Sequence, residues 1–180
     1  MKEVLILPYK LFIKPFFTFK KKILKSYYKM RVRLTAASIA SEPLRVNGYS
    51  RVTDTTYLGK NVNFNGMIIS GCGTVKIGDN FHSGKYCQII SEIHNYKGTS
   101  LPYDNKFICK DVTIEDNVWL GNNVIILGGV TIGEGSIIQA GSVVVKDIEP
   151  LSIAGGHPAK TFTYRDKNHY NKLKEEGKFM

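Results

Sequence analysis

The sequence predicts an all-β fold, a parallel β-helix of hexapeptide repeats with one protruding loop, preceded by a helical arm and followed by a short helix. Three observations predict it. First, from Ile108 towards Ala159 the chain reads in sixes: ICKDVT, IEDNVW, LGNNVI, ILGGVT, IGEGSI, IQAGSV, VVKDIE. An aliphatic residue opens every hexad (Ile108, Ile114, Leu120, Ile126, Ile132, Ile138, Val144). A small or aliphatic residue holds each fifth place (Val112, Val118, Val124, Val130, Ser136, Ser142, Ile148). A short fixed period marks a stacked, repeated unit. Second, the apolar spacings alternate four and two, which is not the spacing of an amphipathic helix. They fit a short flat strand and a corner. Third, Glu115-Asp116-Asn117, Gly121-Asn122-Asn123 and Gly133-Glu134-Gly135 fill the gaps, and Gly, Asn and Asp tolerate the positive φ of tight bends. The pattern does not set the hand of the coil.

Taken in order, residues 1–45 form a basic, aromatic arm. The chain carries a net charge of +10, and residues 1–33 hold ten Lys or Arg against one acid, Glu3. The repeat region is therefore nearly neutral. Pro8 and Pro15 should break any long helix, and Lys10 and Lys14 interrupt the apolar run, so no membrane-crossing span and no secretory signal is expected. Thr18 to Arg33 can form a helix with Phe19, Ile23 and Tyr27 four apart and Lys20, Lys21, Lys22, Lys25 and Lys29 largely elsewhere. Such a helix can lie on an anionic membrane surface, or its aromatic face can pack on the β-helix or a neighbouring subunit. Both readings stay open. No nucleic-acid-binding module accompanies the charge.

The β-helix is expected over residues 46–160. Val46 to Tyr57 leads in as irregular strands. Leu58–Val62 and Phe64–Ile68 are the first convincing hexads, and one extra residue between Ser70 and Lys76 shifts the register. Ile77–Phe81, Ser83–Cys87 and Ile89–Ile93 complete a coil. The register stops at His94 and resumes at Ile108, which leaves residues 95–107 as a loop leaving the wall. Extended loops on rigid scaffolds are where function concentrates. Residues 161–180 are a polar tail in which Asp166 to Lys178 reads as a helix that caps the open end or packs along the side. Cys72, Cys87 and Cys109 show no metal spacing, and Cys72 and Cys87 read as buried thiols. No disulfide framework is implied, which suits a reducing cytoplasm with the inner face of the membrane as a peripheral location.

His94 stands where the regular coil gives way to the loop, and an imidazole titrating near neutrality can take a proton from a hydroxyl or amine. Glu92 is placed to orient its ring. Trp119, the sole tryptophan, and His82 both occupy the last place of a hexad, which points outward.

Several phrases resemble the hexapeptide-repeat acyltransferases, in the branch of the galactoside, maltose and xenobiotic acetyltransferases and the similar polysaccharide O-acetyltransferases. They are Asn117-Val118-Trp119-Leu120-Gly121, Gly129-Val130-Thr131-Ile132-Gly133, Ala140-Gly141-Ser142-Val143-Val144 and Gly156-His157-Pro158-Ala159-Lys160. The run after His94, from Asn95 to Tyr103, is also similar to the xenobiotic branch's loop. The resemblance covers roughly Leu58 to Lys160 and implies a left-handed parallel β-helix with three hexads per coil.

It implies an acetyl-CoA-dependent O-acetyltransferase acting on a sugar hydroxyl of a cell-surface polysaccharide or its precursor, by direct transfer with His94 as general base and no metal. Acetyl-CoA would be held by Trp119, Gly121, Asn122, Ala140, Gly141, Ser142, Lys146 and Lys160. The acceptor would meet His82, Tyr86, Glu92 and Tyr103. Active sites would lie between the subunits of a homotrimer. Two departures stand out. Val145 replaces a common Thr, and Tyr86 replaces the Asn that touches the acceptor in the galactoside and maltose enzymes, which weakens the case for those acceptors. N-acetylation of a nucleotide-linked amino sugar is the main alternative. A non-catalytic scaffold and a γ-type carbonic anhydrase, which needs three metal-binding histidines, are remote ones.

Overall fold

The computed structural model describes residues 14–180. The expectations resting on Pro8, Lys10 and the rest of residues 1–13 lie outside them. Helix α1 runs Lys14–Thr35, longer than the expected Thr18 to Arg33. Pro15 lies within it and does not break it.

The chain then winds about six turns of a left-handed parallel β-helix. Three walls stack strand on strand. The first wall runs Ser38–Ile39, Thr56–Leu58, Val75–Ile77, Val112–Ile114, Thr131–Ile132. The second holds Arg45–Val46, Asn63–Phe64, His82–Ser83, Trp119–Leu120, Ile137–Ile138 and Ser152–Gly156, closed by the antiparallel Ala159–Tyr164. The third holds Met67–Ser70, Cys87–Ile90, Ile125–Leu127 and Val143–Val144. The first strands thus begin at Ser38, within the stretch read as arm.

The hexad explains the core. Ile114, Leu120, Ile126, Ile132, Ile138 and Val144 are 0–1% exposed. Each fully buried aliphatic side chain is worth about 1.5–3 kcal/mol. The two serines at fifth places are buried with their hydroxyls satisfied: Ser136 Oγ donates to the Glu149 carbonyl at 2.9 Å and Ser142 Oγ to that of Gln139 at 2.7 Å. Corners carry the predicted residues. Asn61, Asn80 and Asn117 adopt φ of 54°, 56° and 61°, and their side-chain amides form a ladder, Asn61 to Asn80 at 3.0 Å and Asn80 to Asn117 at 2.9 Å.

The register departs from expectation in two places. Phe64 is followed by buried Ile69, five residues on, while Ile68 faces partly outward. Gly66, at φ 130°, tightens that corner, and Gly71, at φ 107°, lies in the longer step from Ile69 to Ile77. The slip is therefore spread over two corners. The second departure is Ile108. It opens no coil: Phe107–Cys109 pairs antiparallel with Glu92–His94, with Ile108 opposite Ile93. These two isoleucines are 37% and 40% exposed, since both stand on a hairpin that has left the wall. Ile77 accordingly pairs with Ile114, whereas Ile114 pairs with Ile132.

Cys72 and Cys109 form a disulfide. This corrects the reading of Cys72 as a buried thiol and of the chain as lacking disulfides. Cys72 is exposed where the chain enters the first wall, and the unforeseen hairpin brings Cys109 beside it. Cys87 is the buried thiol expected, donating to the Gly121 carbonyl at 3.1 Å.

Helix α2, Lys167–Glu175, is N-capped by Asp166, whose carboxylate accepts from His169 N at 2.7 Å. It packs along the side of the coil. Tyr170 is buried, its hydroxyl donating to Glu134 Oε1 at 2.8 Å and accepting from Asn117 Nδ2 at 2.9 Å.

Candidate active site: a groove on the second wall and a histidine hairpin

Strand pairing builds the first part of the site. In-register stacking puts Trp119 beside His82 on one side and Ile137 on the other, with Ile153 next along. These outward positions line a groove of about 810 Å³ on the second wall, reaching the corner towards the third. Trp119 is 51% exposed, as its place in the hexad predicts. Gly121, Asn122 and Ala140 line the same groove. Five of the proposed residues thus line one groove: His82, Trp119, Gly121, Asn122 and Ala140.

His82 is held by a polar chain. Asn65 Nδ2 donates to His82 Nε2 at 3.1 Å and to the Ser83 carbonyl at 2.9 Å, while Asn65 Oδ1 accepts from Asn47 Nδ2 at 3.1 Å. Because an amide N–H can only donate, this pairing favours the neutral tautomer with its proton on Nδ1, a buried atom with no partner among the described residues. Burial also lowers its pKa, because charge is disfavoured away from water. His82 is thus suited to hydrogen bonding rather than to carrying charge. Asn122 is partly engaged, since its Oδ1 accepts from Lys85 N at 2.8 Å.

Gly141 follows Ala140 at φ 74°, and a Cβ there would meet nothing within 4 Å, so the corner beside the groove is open. Ser142 points inward and is 1% exposed, which leaves only its backbone to meet a ligand. Lys146 and Lys160 are exposed and stand outside the groove lining. Lys85 lies inside it. Tyr86, at φ 59° and 70% exposed, borders a neighbouring depression with Lys85 and Asn65.

The second part is the hairpin. His94 ends its outgoing strand, and its ring stacks on Tyr103 with centroids 3.8 Å apart and planes 12° from parallel. Phe107 lies against the same ring at 4.6 Å. The loop is fastened by Asp104, only 9% exposed. Its carboxylate accepts from Asn95 Nδ2 and Lys106 N, both at 2.9 Å. That clamp sets the residue next to Tyr103, and so the face on which His94 rests. Glu92 lies two residues back on the same strand face but makes no hydrogen bond to His94. The aromatic stack orients the imidazole instead.

Within one chain the two parts stay apart: His94 is not among the residues lining the groove. The sequence reading missed Asn65, Lys85, Ile137, Asp104 and Phe107. Coil-to-coil register would have exposed Ile137, one full coil after Trp119, whereas nothing local marks Asp104 as a clamp. Among the described residues no group of three or more His, Cys, Asp or Glu could hold a metal ion, and no helix is long and apolar enough to cross a membrane.

Comparison with known proteins agrees with this geometry. Residues 111–146 match the bacterial transferase hexapeptide model (six repeats). The chain is 37% identical over 121 residues to the galactoside O-acetyltransferase of Escherichia coli, covering 64% of this chain and 59% of that one. It thus spans less than two thirds of the length of the curated relatives it matches. Among solved structures, a galactoside acetyltransferase in complex with coenzyme A superposes with a TM-score of 0.66 at 27% identity, covering 77% of this chain and 70% of the other. A maltose O-acetyltransferase from Clostridium difficile gives 0.58 at 29% identity, covering 72% and 67%. Repeat, coil and groove all lead the same way: this chain is similar to the hexapeptide-repeat transferases, and among them to the galactoside and maltose acetyltransferases.

Proposed function

We propose that this protein is an acetyl-CoA-dependent O-acetyltransferase whose acceptor is a sugar hydroxyl, of a cell-surface polysaccharide or its precursor. The observation that carries the reading is the groove: His82, the Trp119–Asn122 run, Ala140 and Ile153, from successive coils, line one channel on a scaffold similar to a galactoside acetyltransferase solved with coenzyme A. The channel suits an extended pantetheine arm. It offers an exposed indole, the aliphatic Ile137 and Ile153, and an open glycine corner. Lys85 within it, with Lys146 and Lys160 on the surface beyond, supplies cations for phosphate.

In the proposed reaction His94 takes the proton of the acceptor hydroxyl as its oxygen attacks the thioester carbonyl. The new C–O bond forms, the C–S bond breaks, and the departing CoA thiolate leaves with that proton. Since His94 and the groove do not meet in one chain, the complete site is assigned to the junction between two copies of a homotrimer. The hairpin of one copy would face the groove of the next.

A thermal-shift titration with acetyl-CoA, with free CoA as control, tests the donor site. Ligand at a hundred times its Kd should stabilise the protein by about 2.7 kcal/mol. Thiol release in the presence of hydroxyl and amino sugars, assayed side by side, then separates O- from N-acetylation. Well-folded protein that shows no shift would overturn the donor assignment, and transfer only to amines would overturn the acceptor.

A further inference from the structure

Helix α1 presents an apolar stripe that no other part of the described chain covers. Phe16, Phe19, Ile23, Tyr27, Met30 and Leu34 recur at spacings of three and four, so they share one face, and they are 47–78% exposed. The opposite face holds the helix on the first coils. There Val32 is buried, Tyr28 meets Tyr49 edge-on at 5.7 Å, and Lys25 Nζ donates to Asn47 Oδ1 at 2.9 Å. Lys29 pairs with Glu42 at 3.1 Å, and Arg33 pairs with the same carboxylate. The aromatic stripe therefore packs on no part of its own β-helix and points away from it.

We propose that this stripe seats the protein on an anionic lipid surface, with α1 lying in the plane of the headgroups. Charge selects this occupant over a second copy of the chain. The 22 residues of α1 contain Lys14, Lys20, Lys21, Lys22, Lys25, Lys29, Arg31 and Arg33 and no acid. Lys20 flanks one side of the stripe on the helical wheel, and Lys22 the other. Two copies of this helix meeting along the stripe would bring these cations face to face, and buried protein–protein contacts are depleted in Lys. A phosphate-rich surface suits the same arrangement: aromatic and aliphatic side chains enter the acyl boundary while flanking lysines reach up to the headgroups. The inference rests on the helix alone and stands whether or not the acyl-transfer reading does.

The test is flotation of the full chain with vesicles of phosphatidylcholine alone and of phosphatidylcholine with phosphatidylserine, at low and high salt. Light scattering would give the mass of each sample. The protein should float with the anionic vesicles and much less with the neutral ones, and high salt should weaken it. Lys20→Gln with Lys22→Gln should reduce binding about tenfold or more, and Phe16→Ser, Phe19→Ser and Ile23→Ser together should abolish it. These positions are exposed, so the melting temperature should hold, and thiol release with a soluble acceptor should be unchanged. Absence of flotation, or equal flotation of all variants, would overturn the proposal. So would a drop in particle mass of the triple serine variant, which would show that a second copy covers the stripe.

Discussion

The coils from Val112 to Gly156 and the hairpin from Ser91 to Asp111 are built from similar residues and use them in opposite ways. In the coils, isoleucines are sealed: Ile114, Ile126, Ile132 and Ile138 are 0–1% exposed. In the hairpin, Ile93 and Ile108 are 40% and 37% exposed, Tyr96 61% and Leu101 95%. The coils store stability through burial. The hairpin is held by a few directed contacts, the Asp104 clamp, the stack on His94 and the Cys72–Cys109 bond. Separating the two tasks lets an exposed imidazole sit on a rigid base without disturbing the core.

The sharpest way to test that separation is a pair of substitutions. His94→Ala should lower turnover about 10²–10⁴-fold, leave acetyl-CoA affinity intact, and lower the unfolding free energy only by the lost stack on Tyr103, about 0.5–1.5 kcal/mol. Leu120→Ala should do the reverse. Its side chain is fully buried, so truncation should cost about 2–5 kcal/mol in urea unfolding while thiol release per folded molecule changes little. If His94→Ala also unfolds the protein, or turnover survives it, the division is wrong.

Assembly gives the next test. His94→Ala and Trp119→Ala should each be nearly inactive alone. Co-refolded in equal amounts, they should recover about a quarter of wild-type activity if each site takes its hairpin from one copy and its groove from the next in a closed ring. No recovery, with mixed oligomers demonstrated, would put the whole site within one chain.

Much of this was legible because the hexad ties sequence position directly to orientation. Buried Leu120 and exposed Trp119 follow from their places in one hexad, and so does the outward face that Trp119 shares with His82. The failures have one physical source. A solenoid tells its register locally but does not announce where it is interrupted. Ile108 continues the period of six by sequence, yet antiparallel pairing with Glu92–His94 takes it off the wall. Cys72 looked like a small core residue because its partner is 37 residues away across that hairpin. Tyr103 was legible only as a neighbour of His94 through resemblance. Its stacking depends on Asp104, a contact no local pattern encodes.

The disulfide sharpens the comparison further. Cys72 belongs to the scaffold and Cys109 to the hairpin, so reduction should loosen the hairpin selectively. A lowering of stability by about 2–4 kcal/mol is typical for such a bond. Hydrogen exchange should show the loss in the amides of Glu92–His94 and Phe107–Cys109 and spare Ile126 and Ile138. Equal deprotection of the coils would mean that the hairpin is part of the folding core after all.

The smallest expected effect lies at the opposite corner, where α2 docks on the coils. Burial alone would raise the pKa of Glu134, but hydrogen bonds from Lys174, Tyr170 and Asn117, with the charge of Lys174, outweigh it and hold the carboxyl below its ordinary value of 4.5. A carboxyl that ionises at lower pH when folded stabilises the protein fully above its unfolded pKa, and loses that contribution as pH falls through the folded one. Lys174 is 47% exposed, so screening keeps the contribution below about 1 kcal/mol. Glu134→Gln should therefore be slightly less stable than the wild type at neutral pH and indistinguishable from it well below pH 4.5. The same pH dependence should persist in His94→Ala, because Glu134 stands on a coil corner and shares no contact with the hairpin. A His94→Ala protein whose acid response differed from the wild type would show that the two regions are coupled, and the separation argued from burial would fail at its weakest-loaded point.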